Sequence, residues 1–506
     1  MKNIMRSLLC SVALSAAAVS CAPSDPEVPL DDFAPTARAP SDAARENDGE
    51  GPFATGDDAG GRPGPICNPM AFGAKRDGKS NDTRALQSAI DACAKSDPGG
   101  VVLLEGGTFL SGTIRLADRI TLHVAKGATL LGSREEKDYP ELVVPTDNSQ
   151  LSNCKRALVY VGNAHDVRIE GEGTIDGNAD IPKWRGGTVA ESSRPMAIFA
   201  ALSERVTFEG IRVRNAATWA VVGLETNYLT IRGLDVSTDL GPTHDGIDVV
   251  DGHDVVIEGC TVRSGDDSLC LKSGSPKGLR RVVVKNCQTT RSGVANGLKL
   301  GTASRGAFED IVFEDIRISD AQAAAIAVES VDGAAISNVT FRRIEATNTG
   351  TPFFVLLGRR GNAPIGTMRS VLFENVRSTG ARYPWGSLVS GAPPDAEGRH
   401  DLEGVVFRDV DVRFAGKAGR TGPRMFGPGS GEAFPEYSGG YPDAKFVFAT
   451  KEAKQETLDY ALPAWGFFVR HATDVRFDRC RANVTGTDDR KWLATKNATT
   501  VGVCTP

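Results

Sequence analysis

A short pattern returns along most of this 506-residue chain and leaves few folds open to it. It consists of two β-prone residues, an apolar anchor, two polar residues and a further apolar position, as in Val206-Thr-Phe208-Glu-Gly-Ile211. The same pattern sets Ile231, Ile257, Val284, Phe313, Phe341, Phe373 and Phe407 as anchors, spaced 23 to 34 residues apart, and closes with Phe477. Strand-length units at this period stack as a solenoid, because no single unit can bury its apolar face alone. A propeller blade would need roughly 40 residues or more per repeat, and the Leu and Asn ladder of leucine-rich repeats is missing. The expected fold is therefore all-β, a single-stranded right-handed parallel β-helix (solenoid) with an N-terminal capping helix. Cys260 and Cys287 fall at the same place in successive repeats and read as stacked interior residues.

The capping helix is expected over residues 81–93. Asn81 or Asp82 can cap it, and Leu86, Ala89, Ile90 and Cys93 fall on one apolar face. Such a helix would cover the open strand edges of the first coil. The pattern assigns 65–485 to the solenoid. Residues 414–465 interrupt it with a Gly-, Pro- and aromatic-containing stretch that reads as long loops, and 486–506 read as a C-terminal tail. Upstream, Lys2 and Arg6 precede the apolar run 8–19, and the stretch ends Ala18-Val19-Ser20-Cys21. Residues 1–21 thus read as a signal peptide with a lipobox-like end, and 22–64, rich in Asp, Pro, Ala and Gly, as a disordered linker. The implied location is outside the cytoplasm, as a periplasmic or outer-membrane lipoprotein anchored by lipid through Cys21, or secreted. Export permits disulfides, and Cys67 with Cys93 and Cys480 with Cys504 are the expected pairs.

A net charge of −6 supplies no basic stripe, so no nucleic-acid partner is expected, and a monomer is. Neither CxxC nor Cys/His spacing calls for a metal, and no cofactor is expected. The chemistry points instead to carboxylates. Asp245 and Asp267 are 22 residues apart, about one coil, and Asp266 flanks the second. Aligning the strands that follow, Gly246-Ile-Asp248-Val and Ser268-Leu-Cys270-Leu-Lys272, stacks Asp245 beneath Asp267. Neighbouring strands lie ~4.8 Å apart, which crowds the three carboxylates and raises the pKa of at least one. Glycoside hydrolysis needs that inequality: a protonated acid for the leaving oxygen and an ionised partner for water or the anomeric carbon.

Two sets of residues carry a family resemblance. The opening Ala71-Phe72-Gly73-Ala74-Lys75-Arg76-Asp77-Gly78, followed by Asn81-Asp82-Thr83, is similar to that of glycoside hydrolase family 28 and pectate-lyase-like β-helices. The Asp245-Gly-Ile-Asp248 and Gly265-Asp266-Asp267 segments resemble the aspartate motifs of the family's polygalacturonases. The resemblance covers about residues 67 to 350. It implies an inverting hydrolase in which Asp266 is the general acid and Asp245 and Asp267 activate the attacking water.

The departures from that pattern bear on substrate. The family's Asn-Thr-Asp is Thr243-His244-Asp245 here, its Gly-His-Gly falls on Ala295-Asn296-Gly297, and its Arg-Ile-Lys on Ala327-Val328-Glu329. Glu329 in place of a lysine is expected to repel galacturonate, which favours a neutral sugar at the cleavage point of a pectin-related or other plant or algal polysaccharide. The candidates for contact with that polysaccharide or oligosaccharide are His244, Asp248, Lys272, Asn296, Lys299, Glu329 and Arg359, with Lys299 as the replacement for the missing arginine charge. Trp385 and Trp465 are candidates for stacking on sugar rings. Two further functions fit the same fold: a polysaccharide lyase using Ca²⁺ and a basic side chain, and a non-catalytic glycan-binding β-helix.

Overall fold

The structure is a computed structural model. It describes residues 64–153, 155–184, 189–360, 363–383, 386–396, 398–416 and 462–505. The expected signal peptide, the linker up to residue 63, most of the 414–465 insertion and Trp385 lie outside the described residues.

Each coil gives one short strand to each of three faces, and every face is a parallel ladder running along the solenoid. One coil shows the plan: Ile247–Val250 on a front face, Gly252–Glu258 on a second and Thr261–Ser264 on a third. These pair in parallel with Leu269–Ser273, Leu279–Lys285 and Gln288–Ser292 of the next coil. The result is the right-handed parallel β-helix that the repeat predicts.

The register explains the repeat residue by residue. On the second face Phe208 lies opposite Ile231, and the column continues through Ile257, Val284, Phe313, Phe341, Phe373, Phe407 and Phe477. The rings of Phe313, Phe341, Phe373, Phe407 and Phe477 stack within 12° of parallel at centroid separations of 4.8–5.3 Å. The polar pair after each anchor also has a structural cause. Its second member turns the chain to the next face with positive φ, as Gly233 (62°), Gly259 (65°), Asn286 (53°), Asp315 (56°) and Arg343 (54°). Gly and Asn pass through this region at least cost, so the corner recurs as a small or polar residue within an apolar repeat. Cys260 and Cys287 are free thiols buried in the interior, two residues beyond the paired Glu258 and Lys285.

Helix Thr83–Ala94 caps the first coil and buries Ala85, Leu86, Ala89, Ile90 and Cys93. Asn81 makes the cap contact, its Oδ1 accepting the Thr83 N–H at 3.0 Å. Asp82 is turned the other way and accepts the N–H groups of Lys75 and Arg76 at 2.7 and 2.9 Å, which fixes the opening turn. The Cys67–Cys93 disulfide ties that segment to the helix. At the other end the structure departs from the expected tail. Lys491–Thr505 is a strand paired in parallel with Ala464–Val484, and Cys480–Cys504 closes it. The repeat is not visible in the sequence of this coil because Gly502 stands opposite Phe477, where the apolar anchor would be. Phe407 pairs directly with Phe477, so the insertion leaves one coil and the chain rejoins the ladder on the next.

Candidate active site

The front face sets the acids side by side. Ile247 pairs with Leu269, Leu298 and Ile326 on successive coils, so Asp245, Asp267 and Asn296, each two residues earlier, form a column. The Gly246 N–H donates to the Asp267 carbonyl at 2.9 Å, which holds the register that the sequence alignment predicts. One oxygen each of Asp245, Asp266 and Asp267 lies within 4.8 Å of the others. Asp266 is half-buried, whereas Asp245 and Asp267 are buried. Two backbone donors orient it: the Thr243 N–H reaches its Oδ2 at 2.8 Å, and the Asp267 N–H its Oδ1 at 3.0 Å.

Two lysines lie within this cluster. Lys272 Nζ donates to Asp245 at 2.9 Å and to Asp248, contacts Cys270 Sγ at 3.1 Å, and stands 4.4 Å from the centroid of the Trp219 ring. Lys299 Nζ is 3.4 Å from both Asp267 and Glu329. Asn296 adds two donors to Asp267 Oδ1, its backbone N–H at 3.0 Å and its side-chain amide at 2.8 Å.

These partners make the carboxylates unequal. Burial, with Asp245 and Asp267 beside it, pushes Asp266 up to about 7. Burial also pushes on Asp267, but Lys299, Lys272 and Asn296 outweigh it and hold that carboxyl below its ordinary value. Asp245 is raised chiefly by burial, against the pull of Lys272, and Asp248 is raised by burial to about 6. Lys272 keeps its proton because Asp245 and Asp248 outweigh the cost of burying it. Its ammonium stands where oxygens of Asp245 and Asp248 converge with the Cys270 thiol, so the chain supplies its own cation there. The arrangement sets Asp266, the half-buried carboxyl among those raised, beside Asp267, which stays ionised, the pairing acid–base chemistry requires.

Several expected sugar contacts take other positions. His244 is fully buried, and its Nδ1 faces the carbonyls of Pro242 and Gly241 at 2.9 and 3.1 Å, so it braces the turn beneath Asp245. Asp248 is also fully buried, held by Lys272. Lys272 and Lys299 point outward as strand alternation predicts, yet carboxylates of adjacent coils bury them, which a single strand's pattern does not reveal. Glu329 is not the bare anion expected, because it pairs with Lys299, which it shares with Asp267. Arg359 lies past the end of strand Thr351–Leu357 and pairs with Asp395 at 3.0 Å. Trp465 packs edge-on against Phe414 in the interior, so it is not placed to stack on a sugar.

The front face is covered on both sides of the acids. Before them, Leu142 and Val144 pack with Tyr160, Phe199, Trp219 and Val222. Asn148 holds this covering loop by donating to Glu225 at 2.9 Å and to Asp251 at 2.7 Å. After them, Ala327, Phe354, Leu356, Leu388 and Phe468 are buried with Ala392 and Leu462. Trp219 and Asn148 are not among the residues expected from the sequence. Trp219 carried a usable signal, since the strand register puts it one coil before Asp245, whereas Asn148 lies in a loop with no repeat to place it.

Comparison with known proteins bears on the family and the fold. The model of the family "Glycosyl hydrolases family 28" matches residues 106–382, more than half of the chain. A Vitis vinifera protein named "Probable polygalacturonase" is 27% identical over 265 residues, covering 48% of this chain and 53% of the relative. The exo-poly-alpha-D-galacturonosidase of Dickeya chrysanthemi is 26% identical over 258 residues, covering 41% of this chain and 42% of the relative. The alignments thus span about half the length of these curated relatives. Among solved structures, the hyperthermoactive exopolygalacturonase from Thermotoga maritima superposes with a TM-score of 0.59 at 21% identity, covering 70% of this chain and 88% of that one. At that identity it supports the fold.

Proposed function

The chain belongs to glycosyl hydrolases family 28, and from that premise we propose that it hydrolyses glycosidic bonds of a pectic polysaccharide, with Asp266 as general acid and Asp267, assisted by Asp245, activating water. The observation that carries the reading is the juxtaposition of Asp266, half-buried and raised to about 7, with Asp267, buried and held ionised. In the proposed step Asp266 gives its proton to the glycosidic oxygen as the C1–O bond breaks. Water adds to the anomeric carbon and loses a proton to Asp267. Family membership and the polygalacturonase relatives support a pectic substrate. The sugar at the cleavage point is proposed to be neutral. Lys299 is shared between Glu329 and Asp267, so it offers no surplus cation to a uronate carboxylate.

An inverting outcome is supported by the family resemblance. Proton NMR of the anomer first released tests it: release of the inverted anomer supports the reading, and release of the retained anomer overturns it. The function itself is tested by a reducing-end screen over pectic, hemicellulosic and algal polysaccharides, with Asp266→Asn as control. Release of reducing ends without unsaturated product supports hydrolysis. Chelator-sensitive unsaturated product would make the chain a lyase, and binding without turnover would make it a glycan-binding β-helix.

Export is proposed on the N-terminal sequence pattern, and the two disulfides suit an oxidising compartment. Fractionation of cells expressing the wild type and Cys21→Ser tests the lipid anchor, which should hold the first in membranes and release the second. The monomeric state is likewise a proposal, tested by light scattering.

A further inference from the structure

Lys299 stands on the front face one coil beyond Asp267, and Glu329 stands one coil beyond Lys299. Strand pairing fixes this order, since Cys270 lies opposite Lys299 and Lys299 opposite Ala327. The ammonium is 3.4 Å from a carboxylate oxygen on each side, and all three side chains are at most 8% exposed. Thr302 Oγ1 donates to the second oxygen of Glu329 at 3.3 Å, so the carboxylate that anchors the lysine is itself held.

A lysine meant to meet substrate would present its ammonium to solvent, as long side chains on protein surfaces do. Here it is spent within the protein. A buried ammonium is costly unless it is paired, and two carboxylates satisfy that need. With Asp245, Asp248 and Asp266 nearby, Asp267 would otherwise share the crowding that raises carboxyl pKa values. We infer that Lys299 is a positioning residue for Asp267: held in place by Glu329, it keeps that carboxylate oriented and anionic so that it can accept the proton of water. Glu329, where the family's pattern has a lysine, thus serves the base through Lys299 and does not meet the sugar. The inference rests on the hydrolase reading above. The charged groups facing Lys299 and its partner are Asp245, Asp248, Asp266, Lys272 and Glu329, and Asn296 donates to Asp267 from the same side. The depressed position of Asp267, with Lys299 as the leading stabilising influence, agrees with the geometry.

The test uses the full-length chain and the polysaccharide on which the wild type releases reducing ends. Lys299→Met, Lys299→Arg and Glu329→Gln are compared by kcat, KM, the pH dependence of kcat/KM and Tm. Asp267 must be ionised to act, so activity falls as pH falls through its pKa, and removing the adjacent cation moves that acid limb upward. Lys299→Met should lower kcat about 100-fold, leave KM nearly unchanged and shift the acid limb up by about one to three pH units. Lys299→Arg should retain most of the rate and the original limb, and Glu329→Gln should lower kcat less than Lys299→Met does without raising the limb, because it loosens the lysine and removes an anion together. A rise in KM with kcat and limb unchanged would make Lys299 a substrate contact and overturn the inference. An equal loss in all three variants that follows Tm, with no shift of the limb, would make it structural and overturn the inference too. If the wild type itself opens no glycosidic bond, the hydrolase reading falls and this one with it. An active wild type with an unmoved limb in Lys299→Met overturns this one alone.

Discussion

At the scale of single residues, the central fact is that three adjacent aspartates have different partners. Asp266 has two backbone N–H donors and no lysine at contact distance among the described ion pairs, while Asp267 has Lys299 and Asn296. The difference has two measurable consequences. Activity should decline on the alkaline side as pH rises through about 7, where Asp266 loses the proton it must donate. Asp266→Asn should lower kcat by ~10²–10⁴-fold and should also stabilise the protein in a pH-dependent way. The native state holds this proton more tightly than the unfolded state, so the group's contribution to stability declines from its unfolded pKa of about 4 to about 7. The Tm advantage of Asp266→Asn over wild type should therefore be small near pH ~4 and larger near pH ~8, by calorimetry. Lys272→Met leaves Asp245 and Asp248 buried without their shared cation, and urea denaturation should show a loss of ~3–5 kcal/mol.

At the scale of elements, the second face carries a continuous apolar column, and the front face carries a polar stretch between two apolar ones on the same coils. Phe341 is fully buried between Phe313 and Phe373, and Phe341→Ala should cost ~3–5 kcal/mol through lost contact and the cavity left behind. The column lies on another face from the acids, so a folded variant should retain the wild-type pH profile. The ladder was legible in the sequence because Phe and β-branched anchors recur at fixed places between polar corners. The carboxylate column was legible too, through the 22-residue offset of Asp245 and Asp267. The strand Lys491–Thr505 was not, since it keeps β-prone residues but lacks the anchor.

At the scale of the whole molecule, a solenoid's ends are its weak points, because an end coil has a neighbour on one side only. Disulfides stand at both: Cys67–Cys93 at the capping helix and Cys480–Cys504 on the last coil. Each closes a loop of similar length and should contribute about 3 kcal/mol. Replacing either pair by serine should speed hydrogen exchange in its own end coils first, with the central coils that carry the acids affected least.

The sequence alone was enough to read the solenoid, its capping helix and the meeting of Asp245, Asp266 and Asp267, whereas the structure established the two disulfides expected from cysteine position. The first three follow from repeat period and register, which are local properties propagated along the chain. Only the tertiary structure decided what Lys272, Lys299, His244 and Glu329 do there. Strand alternation says that a side chain points outward, but burial and charge pairing depend on which residues the adjacent coils and loops bring over it. Glu329 beside Lys299 is an ion pair across a coil boundary, where Glu329 alone had read as a repelling anion.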